Sequence, residues 1–137
     1  MDKFRKFVKD HNTVKERVLG RDHYWYFNAE LSEQADTYMV KVVMEKGGMH
    51  NFHRHPEMNE IPYILRATAA QWVEDEKQML GPGDSVYIAP DVVHATFNAG
   101  EGELEFLAIL APAKGWKAGT IDEYENLPYS EYKKMAI

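Results

Sequence analysis

The sequence predicts an all-β domain, either a sandwich or a barrel. From about residue 24 onward, short runs rich in Val, Ile, Tyr, Trp and Thr alternate with Gly, Pro, Asp and Asn, which is typical of antiparallel strands joined by turns. A parallel sheet would need helices of about ten or more residues between its strands, and the intervals are too short for them. The 137 residues suit one domain with its own core. The predicted strands are residues 38–44, 61–65, 68–73, 85–89, 95–98 and 104–110.

Charged and glycine-containing stretches mark the turns between these strands. Residues 74–76, Glu-Asp-Glu, lie between two apolar pairs and predict the tip of a hairpin. Their charge indicates a solvated loop and not a metal site. Residues 81–84 and 100–103 contain two glycines each and predict two further turns.

The first 23 residues predict a short helical leader. Four residues recur at the spacing of one helix face, and a capping-box pair followed by a glycine marks a second helical stretch. The residues are Phe4, Phe7, Val8 and His11 on the face, Asp2 as N-cap, and Thr13, Glu16 and Gly20 for the second stretch. The domain plan is therefore a leader over 1–23, a β-barrel over 24–111 and a C-terminal segment over 112–137 that packs on the barrel. A helical turn is expected near 130–135.

Composition narrows the classes of partner and compartment. The net charge of −6 argues against nucleic acid, because phosphate backbones are bound by clustered Lys and Arg. The absence of cysteine excludes disulfides, zinc–thiolate sites and a cysteine nucleophile. No apolar run is long enough for a membrane helix, and the first residues lack the apolar stretch of a signal peptide. We therefore expect a cytoplasmic protein with a small-molecule ligand, and no nucleic-acid or membrane partner.

Four side chains predict a metal site. His53 and His55 are two residues apart on an extended segment, so their imidazoles face the same side. Glu60 follows a point where the chain can turn back, and His94 begins a later β run that could bring in a third imidazole. Neutral imidazole nitrogens and a carboxylate oxygen suit one divalent transition metal, which could be iron, manganese, nickel, zinc or copper.

The choice of carboxylate is open from the residues alone. Glu57 is an alternative to Glu60, because Pro56 interrupts the strand alternation and parity cannot decide between them. His50 has the opposite parity to His53 and is expected to face away from the site. The remaining histidines are expected to be surface or hydrogen-bonded core residues: His11, His23 and His50.

Two segments resemble the two sequence motifs of the cupin superfamily. Residues 47–67, GGMHNFHRHPEMNEIPYILRA, are similar to the first motif, with Ala67 at its final glycine position. The positions in register are Gly47, His53, His55 and Glu60. Residues 83–98, GDSVYIAPDVVHATFN, are similar to the second motif, with Pro90 one place late and Asp91 where glycine is common. The positions in register are Gly83, His94 and Asn98.

The resemblance implies a double-stranded β-helix, the jelly-roll barrel of cupins, with a metal held inside one end by three imidazoles and one carboxylate. It favours Glu60 over Glu57, and it implies two open positions on a six-coordinate ion. It also implies a homodimer. Cupins similar to this chain include dioxygenases, decarboxylases, isomerases, lyases and non-catalytic binding proteins.

The expected function is that of a metal-dependent enzyme, with dioxygenase-like or Lewis-acid chemistry on a small oxygen-bearing organic substrate. The alternative is a non-catalytic cupin that binds a sugar or an organic acid. Catalytic residues beyond the metal ligands are not assigned, because no further acid–base pair stands out. Strand parity with the four ligands predicts the residues of the substrate pocket: Asn51, Ile64, Thr96 and Asn98.

Overall fold

The structure is a computed structural model that describes residues 6–31 and 36–137. Within these residues ten strands form two five-stranded antiparallel sheets. The strands are β1 Val14–Val18, β2 Arg21–Phe27, β3 Tyr38–Met44, β4 Met49–Arg54, β5 Asn59–Arg66, β6 Ala69–Val73, β7 Glu76–Leu80, β8 His94–Asn98, β9 Leu104–Ala111 and β10 Ile121–Asp122. The short helices are 3₁₀ turns over Asp10–Asn12, Ala113–Ala118 and Lys133–Met135, and the α-helix α1 over Tyr129–Tyr132.

The two sheets enclose a core between their inner faces. The first sheet has the strand order β1-β2-β3-β9-β5, and the second has the order β10-β4-β8-β6-β7. On β3 and β9 every second residue is buried, as expected for strands with one face toward the core. This is the predicted jelly-roll architecture, and the all-β fold class is confirmed.

Most predicted strands are present with bounds close to those expected. Residues 85–89 differ, because they form two isolated bridges, Ser85 with Tyr63 and Ile88 with Glu60, and no continuous strand. The hairpin predicted at 74–76 joins β6 to β7, and Glu74 there adopts a positive φ of 54°.

The predicted N-terminal helix is wrong. Residues 14–27 form the hairpin of β1 and β2, and Gly20, at φ 80°, lies in its turn. β2 also pairs with β3 along its length, so sheet pairing outweighs the local capping-box signal of Thr13 and Glu16. Phe7 is 88% exposed, and His11 lies in the Asp10–Asn12 turn. The predicted N-cap Asp2 and the face residue Phe4 lie outside the described residues.

The helix lies at the C-terminus, where a terminal helical turn was predicted. α1 and the following 3₁₀ turn cover the outer face of the second sheet with aromatic side chains. Trp72 stacks on Tyr132 with ring centroids 5.2 Å apart, and Phe52 packs on Tyr129 at 5.5 Å. The indole nitrogen of Trp72 donates to the carbonyl of Ala136 at 3.1 Å. Among the described residues no helix has the length and apolar character needed to cross a membrane.

Candidate metal centre

The four predicted ligands lie together between the two sheets. β4 carries His53, β8 begins at His94 and pairs His94 directly with His53, and Glu60 lies near the start of β5. His55 follows the last residue of β4. One ligand atom of each side chain lies within 4.8 Å of all the others, and no residue of this four-residue cluster is more than 8% exposed.

Backbone carbonyl groups orient two of the imidazoles. Nδ1 of His53 lies 2.6 Å from the carbonyl oxygen of Asn51, and Nδ1 of His94 lies 3.0 Å from that of Val92. Since a carbonyl can only accept, Nδ1 carries a proton in both rings, and in the neutral ring Nε2 has the free lone pair. Both Nε2 atoms are buried and find no hydrogen-bond partner among the described residues. Each ring therefore presents an unsatisfied electron-pair donor to the centre of the cluster.

Glu60 supplies the negative charge of the cluster. Its Oε1 lies 3.2 Å from Nε2 of His55 and 3.4 Å from Nε2 of His94. Burial alone would raise the pKa of Glu60, but the contacts with His55 and His94 outweigh burial and hold it well below its usual range. Glu60 is therefore ionised at neutral pH. The competing carboxylate, Glu57, is exposed at the surface and lies outside the cluster.

The cluster fits a divalent transition metal. Two buried imidazole nitrogens without partners cost free energy, and an ion bound between them would satisfy both. The side chain of Thr120 lies 3.2 Å from Nδ1 of His55, so this ring is also held through the nitrogen that faces away from Glu60. Three imidazoles and one carboxylate suit iron, manganese, nickel, zinc or copper and do not discriminate among them.

A cavity of about 120 Å³ opens beside the cluster, and we call it the inner cavity. Its walls come from both sheets. Apolar side chains of β2, β3 and β9 cover much of it, among them Trp25, Val42, Phe106 and Leu110. The volume is well below the roughly 300 Å³ at which pockets for drug-sized ligands begin, so the inner cavity suits a small molecule.

His50 lines the inner cavity, so the expectation that it faces away was wrong. The pairing of β4 with β8 shifts register between His50 and His53: His50 pairs with Thr96, whereas His53 pairs with His94. Between these two pairs the chain advances three residues along β4 but only two along β8, as in a β-bulge. The extra residue of β4 places both histidines on one face. The two rings stack with centroids 3.5 Å apart and planes at 10°. Burial, followed by the charge of Arg21, holds the pKa of His50 well below its usual range.

The predicted pocket residues are only partly brought together. Thr96 lines the inner cavity, and its hydroxyl donates to Oε1 of Gln71 at 2.6 Å. Ile64 belongs to the apolar core, and Asn51 lines a separate outer groove. The side-chain amide of Asn98 donates to the carbonyl groups of Met44, Glu45 and Gly102, so it secures turns and lies away from the cavity.

Polar residues of the β1–β2 hairpin also line the inner cavity, and the sequence interpretation missed them. They are Glu16, Arg21 and His23. All three lie within residues 1–23, the segment that was predicted to be the helical leader. The signal was the alternation of Arg21, His23 and Trp25, which on a strand places three side chains on one face.

Comparison with known proteins agrees with this architecture. The sequence model of the family described as "Cupin domain" matches residues 40–110. An uncharacterised protein of Methanocaldococcus jannaschii is 24% identical over 111 residues, which cover 81% of this chain and 82% of the relative. KdgF from a Halomonas species superposes with a TM-score of 0.68 at 22% identity, covering 78% of this chain and 93% of that one. A predicted oxalate decarboxylase of Thermotoga maritima superposes with a TM-score of 0.70 at 20% identity, covering 78% and 99%.

Proposed function

The chain belongs to the cupin family, and on that premise we propose that it is a metal-dependent enzyme acting on a small oxygen-bearing organic molecule. One observation carries the proposal: the partnerless Nε2 atoms of His53 and His94 lie beside the ionised Glu60 at the wall of a small cavity. We assign the four-residue cluster as the ligands of one divalent transition metal. Bound there, the metal would supply Lewis-acid chemistry, or redox chemistry with dioxygen, to an oxygen-bearing ligand.

The residues around the cluster prepare this site for a ligand. The stack of His50 on His53 and the carbonyl of Asn51 together fix the plane of the His53 ring. The apolar walls formed by Val42 and Phe106 limit the water that can share the cavity. In such an environment, charge–charge interactions are stronger than in bulk water. The small volume favours a compact substrate, and the solved neighbour described as a predicted oxalate decarboxylase supports a substrate of that size.

The test separates metal binding from turnover. The metal content of the purified protein is measured by elemental analysis, and the stripped protein is then reloaded with ferrous ion without oxygen. Oxygen and a panel of small hydroxy, oxo and dicarboxylic acids are offered, and oxygen uptake and products are followed. We expect one metal per chain and turnover of at least one acid. If the loaded protein gives neither product nor oxygen uptake across the panel, it is not an oxygenase for these acids. If it also forms no product in anaerobic assays, the proposal that it is an enzyme is contradicted.

A non-catalytic cupin that binds a sugar or an organic acid is the second candidate. The observation that favours it is that the other titratable cavity residues contact one another: Glu16, His23 and Arg21 form a connected set. His50 is stacked on His53. Outside the cluster, three of the four titratable residues of the described cavity are thus engaged with one another and not directed at a ligand. Saturable ligand binding by the metal-loaded protein with no product would support this second function.

We also propose a homodimer formed through the outer face of the first sheet. Along β5 three outward apolar residues are exposed: Ile61 at 36%, Tyr63 at 42% and Leu65 at 40%. A contiguous exposed apolar strip of this kind is typical of a surface that packs on a partner. Sedimentation should give a dimer for the natural chain and a monomer for Tyr63→Arg. Leu127→Arg, an equally large change at a separate exposed site, should leave the dimer intact; a monomeric natural chain would contradict the proposal.

The remaining expectations follow from composition and stay predictions. The net charge of −6 supports a protein without a nucleic-acid partner, and a cytoplasmic location is proposed on the same sequence grounds. The division into residues 1–23, 24–111 and 112–137 also stays a prediction. Limited proteolysis would test the division: early cleavage near residues 23 and 111 would support it, and resistance at residue 23, which lies within β2, would contradict the boundary there.

A further inference from the structure

Arg21 is a buried cation without an ion-pair partner in the described chain. It begins β2, is only 9% exposed and lines the inner cavity together with His50 and His53. Glu16 and Asp122 attract it only at longer range, and burial lowers the pKa of Arg21 because this attraction is incomplete. A buried guanidinium that no carboxylate contacts keeps most of its desolvation cost. Such a group favours binding of an anion.

Neutral groups fix the orientation of this guanidinium. Its Nη1 donates to the carbonyl oxygen of Met49 at 2.9 Å, and its Nε donates to Nε2 of His23 at 3.1 Å. Because Nε2 of His23 accepts, the proton of this ring lies on Nδ1, which donates to Oε1 of Glu16 at 3.2 Å. The bonds fix the plane of the guanidinium, and Nη2 is left without an acceptor in residues 6–31 and 36–137.

We propose that Arg21 binds the carboxylate of the substrate, so that the substrate class is small carboxylic acids with a second donor oxygen facing the four-residue cluster. The N–H groups of Nη2, held in a fixed plane, can donate charge-assisted hydrogen bonds to a carboxylate. Arg21 and the cluster line the same cavity of about 120 Å³, so a molecule of a few carbon atoms suffices to contact both. The inference rests on the proposed function only for the role of the cluster as a metal site.

The experiment compares an acid with its neutral amide. Glycolate and glycolamide have the same size and the same hydroxyl group, and they differ in the charge that Arg21 would recognise. Their dissociation constants are measured by calorimetry for the Zn²⁺-loaded and the metal-free protein. The variant is Arg21→Gln, and the matched control is Arg66→Gln, which removes an exposed arginine of β5 that pairs with Glu103 and Glu105.

The natural protein should prefer glycolate to glycolamide, and Arg21→Gln should reduce that preference roughly tenfold or more, while Arg66→Gln retains it. The ratio of the two dissociation constants is unaffected when a variant weakens the binding of both ligands equally. An unchanged preference in folded Arg21→Gln, or no preference in the natural protein, would overturn the inference.

A second measurement covers the case in which Arg21→Gln does not fold. In ¹⁵N spectra of the natural protein, glycolate should shift the side-chain Nη–H signals of Arg21, and glycolamide should not. Unshifted Nη–H signals at saturating glycolate would also overturn the inference. The metal site and the role of Arg21 can fail separately. A protein that holds no Zn²⁺ contradicts the metal site, but the glycolate preference of the metal-free protein still tests Arg21. A metal-loaded protein whose preference does not depend on Arg21 contradicts only the inference.

Discussion

The tautomers of the cluster histidines are set by the strands on which the rings lie. His53 and His94 each direct Nδ1 to the carbonyl group two residues earlier, so the extended backbone of the ring's own segment fixes the donor nitrogen. A ring held in this way loses little rotamer freedom when an ion binds, and in its neutral form the lone pair is on Nε2. The consequence is a site whose ligands need little rearrangement to bind an ion.

Replacing the cluster carboxylate should weaken metal binding strongly. Glu60→Gln keeps the size of the side chain and removes the charge that faces His55 and His94, so we expect Zn²⁺ affinity to fall at least tenfold. Glu57→Gln is the matched control, because that carboxylate is exposed and lies three residues away. Competition with a chromophoric chelator measures both. Equal losses in the two variants would show that Glu60 is not a ligand.

Metal affinity should increase with pH through the region of histidine titration. Burial lowers the pKa of His94, but its contact with Glu60 more than offsets this, and the pKa lies above its ordinary value of 6.5. The proton must leave Nε2 before an ion can bind, so affinity falls as pH drops through that raised value. Burial keeps the pKa of His53 well below its usual range, so His53 does not add to the loss near neutrality. Calorimetric Zn²⁺ titrations between about pH 5.5 and 8 measure the slope, and a flat profile would contradict the assignment.

At this scale the sequence predicted the four-residue cluster better than the cavity. The side chains of His53 and His55, two residues apart, face the same cluster in the structure, as strand alternation predicts. Parity failed for His50, because an irregular pairing between β4 and β8 cannot be read from one strand alone. Arg21 escapes prediction for a different reason: it lies in the predicted helical leader, where the strand alternation of Arg21, His23 and Trp25 has no meaning.

At the scale of elements, the N-terminal hairpin shows how tertiary pairing overrides local spacing. The capping-box spacing of Thr13 and Glu16 favours a helix, yet β2 gains backbone partners from both β1 and β3. The spacing of residues within one segment contains no information about a strand elsewhere in the chain, such as β3, that can pair with it. The central strands were predicted well, since their buried residues alternate strictly and few other structures accommodate that pattern.

The close approach of two turns makes Gly48 sensitive to substitution. A Cβ at this position would lie 2.6 Å from the carbonyl oxygen of Gly20 and 2.6 Å from Cγ of Met44. Gly48→Ala should therefore separate the β1–β2 turn from the β3–β4 turn and lower the free energy of unfolding by about 1–3 kcal/mol. Gly102→Ala is the control, because no atom lies within 4 Å of its added Cβ. Urea unfolding measures both, and equal stability of the two variants would contradict the predicted clash.

At the scale of the whole molecule, the cluster joins the two sheets. β4 and β8 of the second sheet supply His53 and His94, whereas β5 of the first sheet supplies Glu60. An ion bound to all three acts across the core, and binding to the folded state alone raises stability by mass action.

Removing the metal should therefore lower the melting temperature. At a hundredfold excess of Zn²⁺ over its dissociation constant, the stabilisation is about 2.7 kcal/mol, which corresponds to several degrees for a domain of this size. Calorimetric scans with Zn²⁺ and with a chelator measure the difference. In Glu60→Gln the two scans should nearly coincide, and a full metal-dependent shift in that variant would place the stabilising ion at a different site.

The bridging position of the cluster also fixes when during synthesis an ion can be captured. Glu60 is placed by the pairing of β5 with β9, and β9 follows all four cluster residues in the chain. Until residues 104–111 have been made and have paired, His53 and His55 can offer an ion two imidazoles but not the positioned carboxylate. The complete four-residue cluster therefore forms only in a chain that has been synthesised through β9.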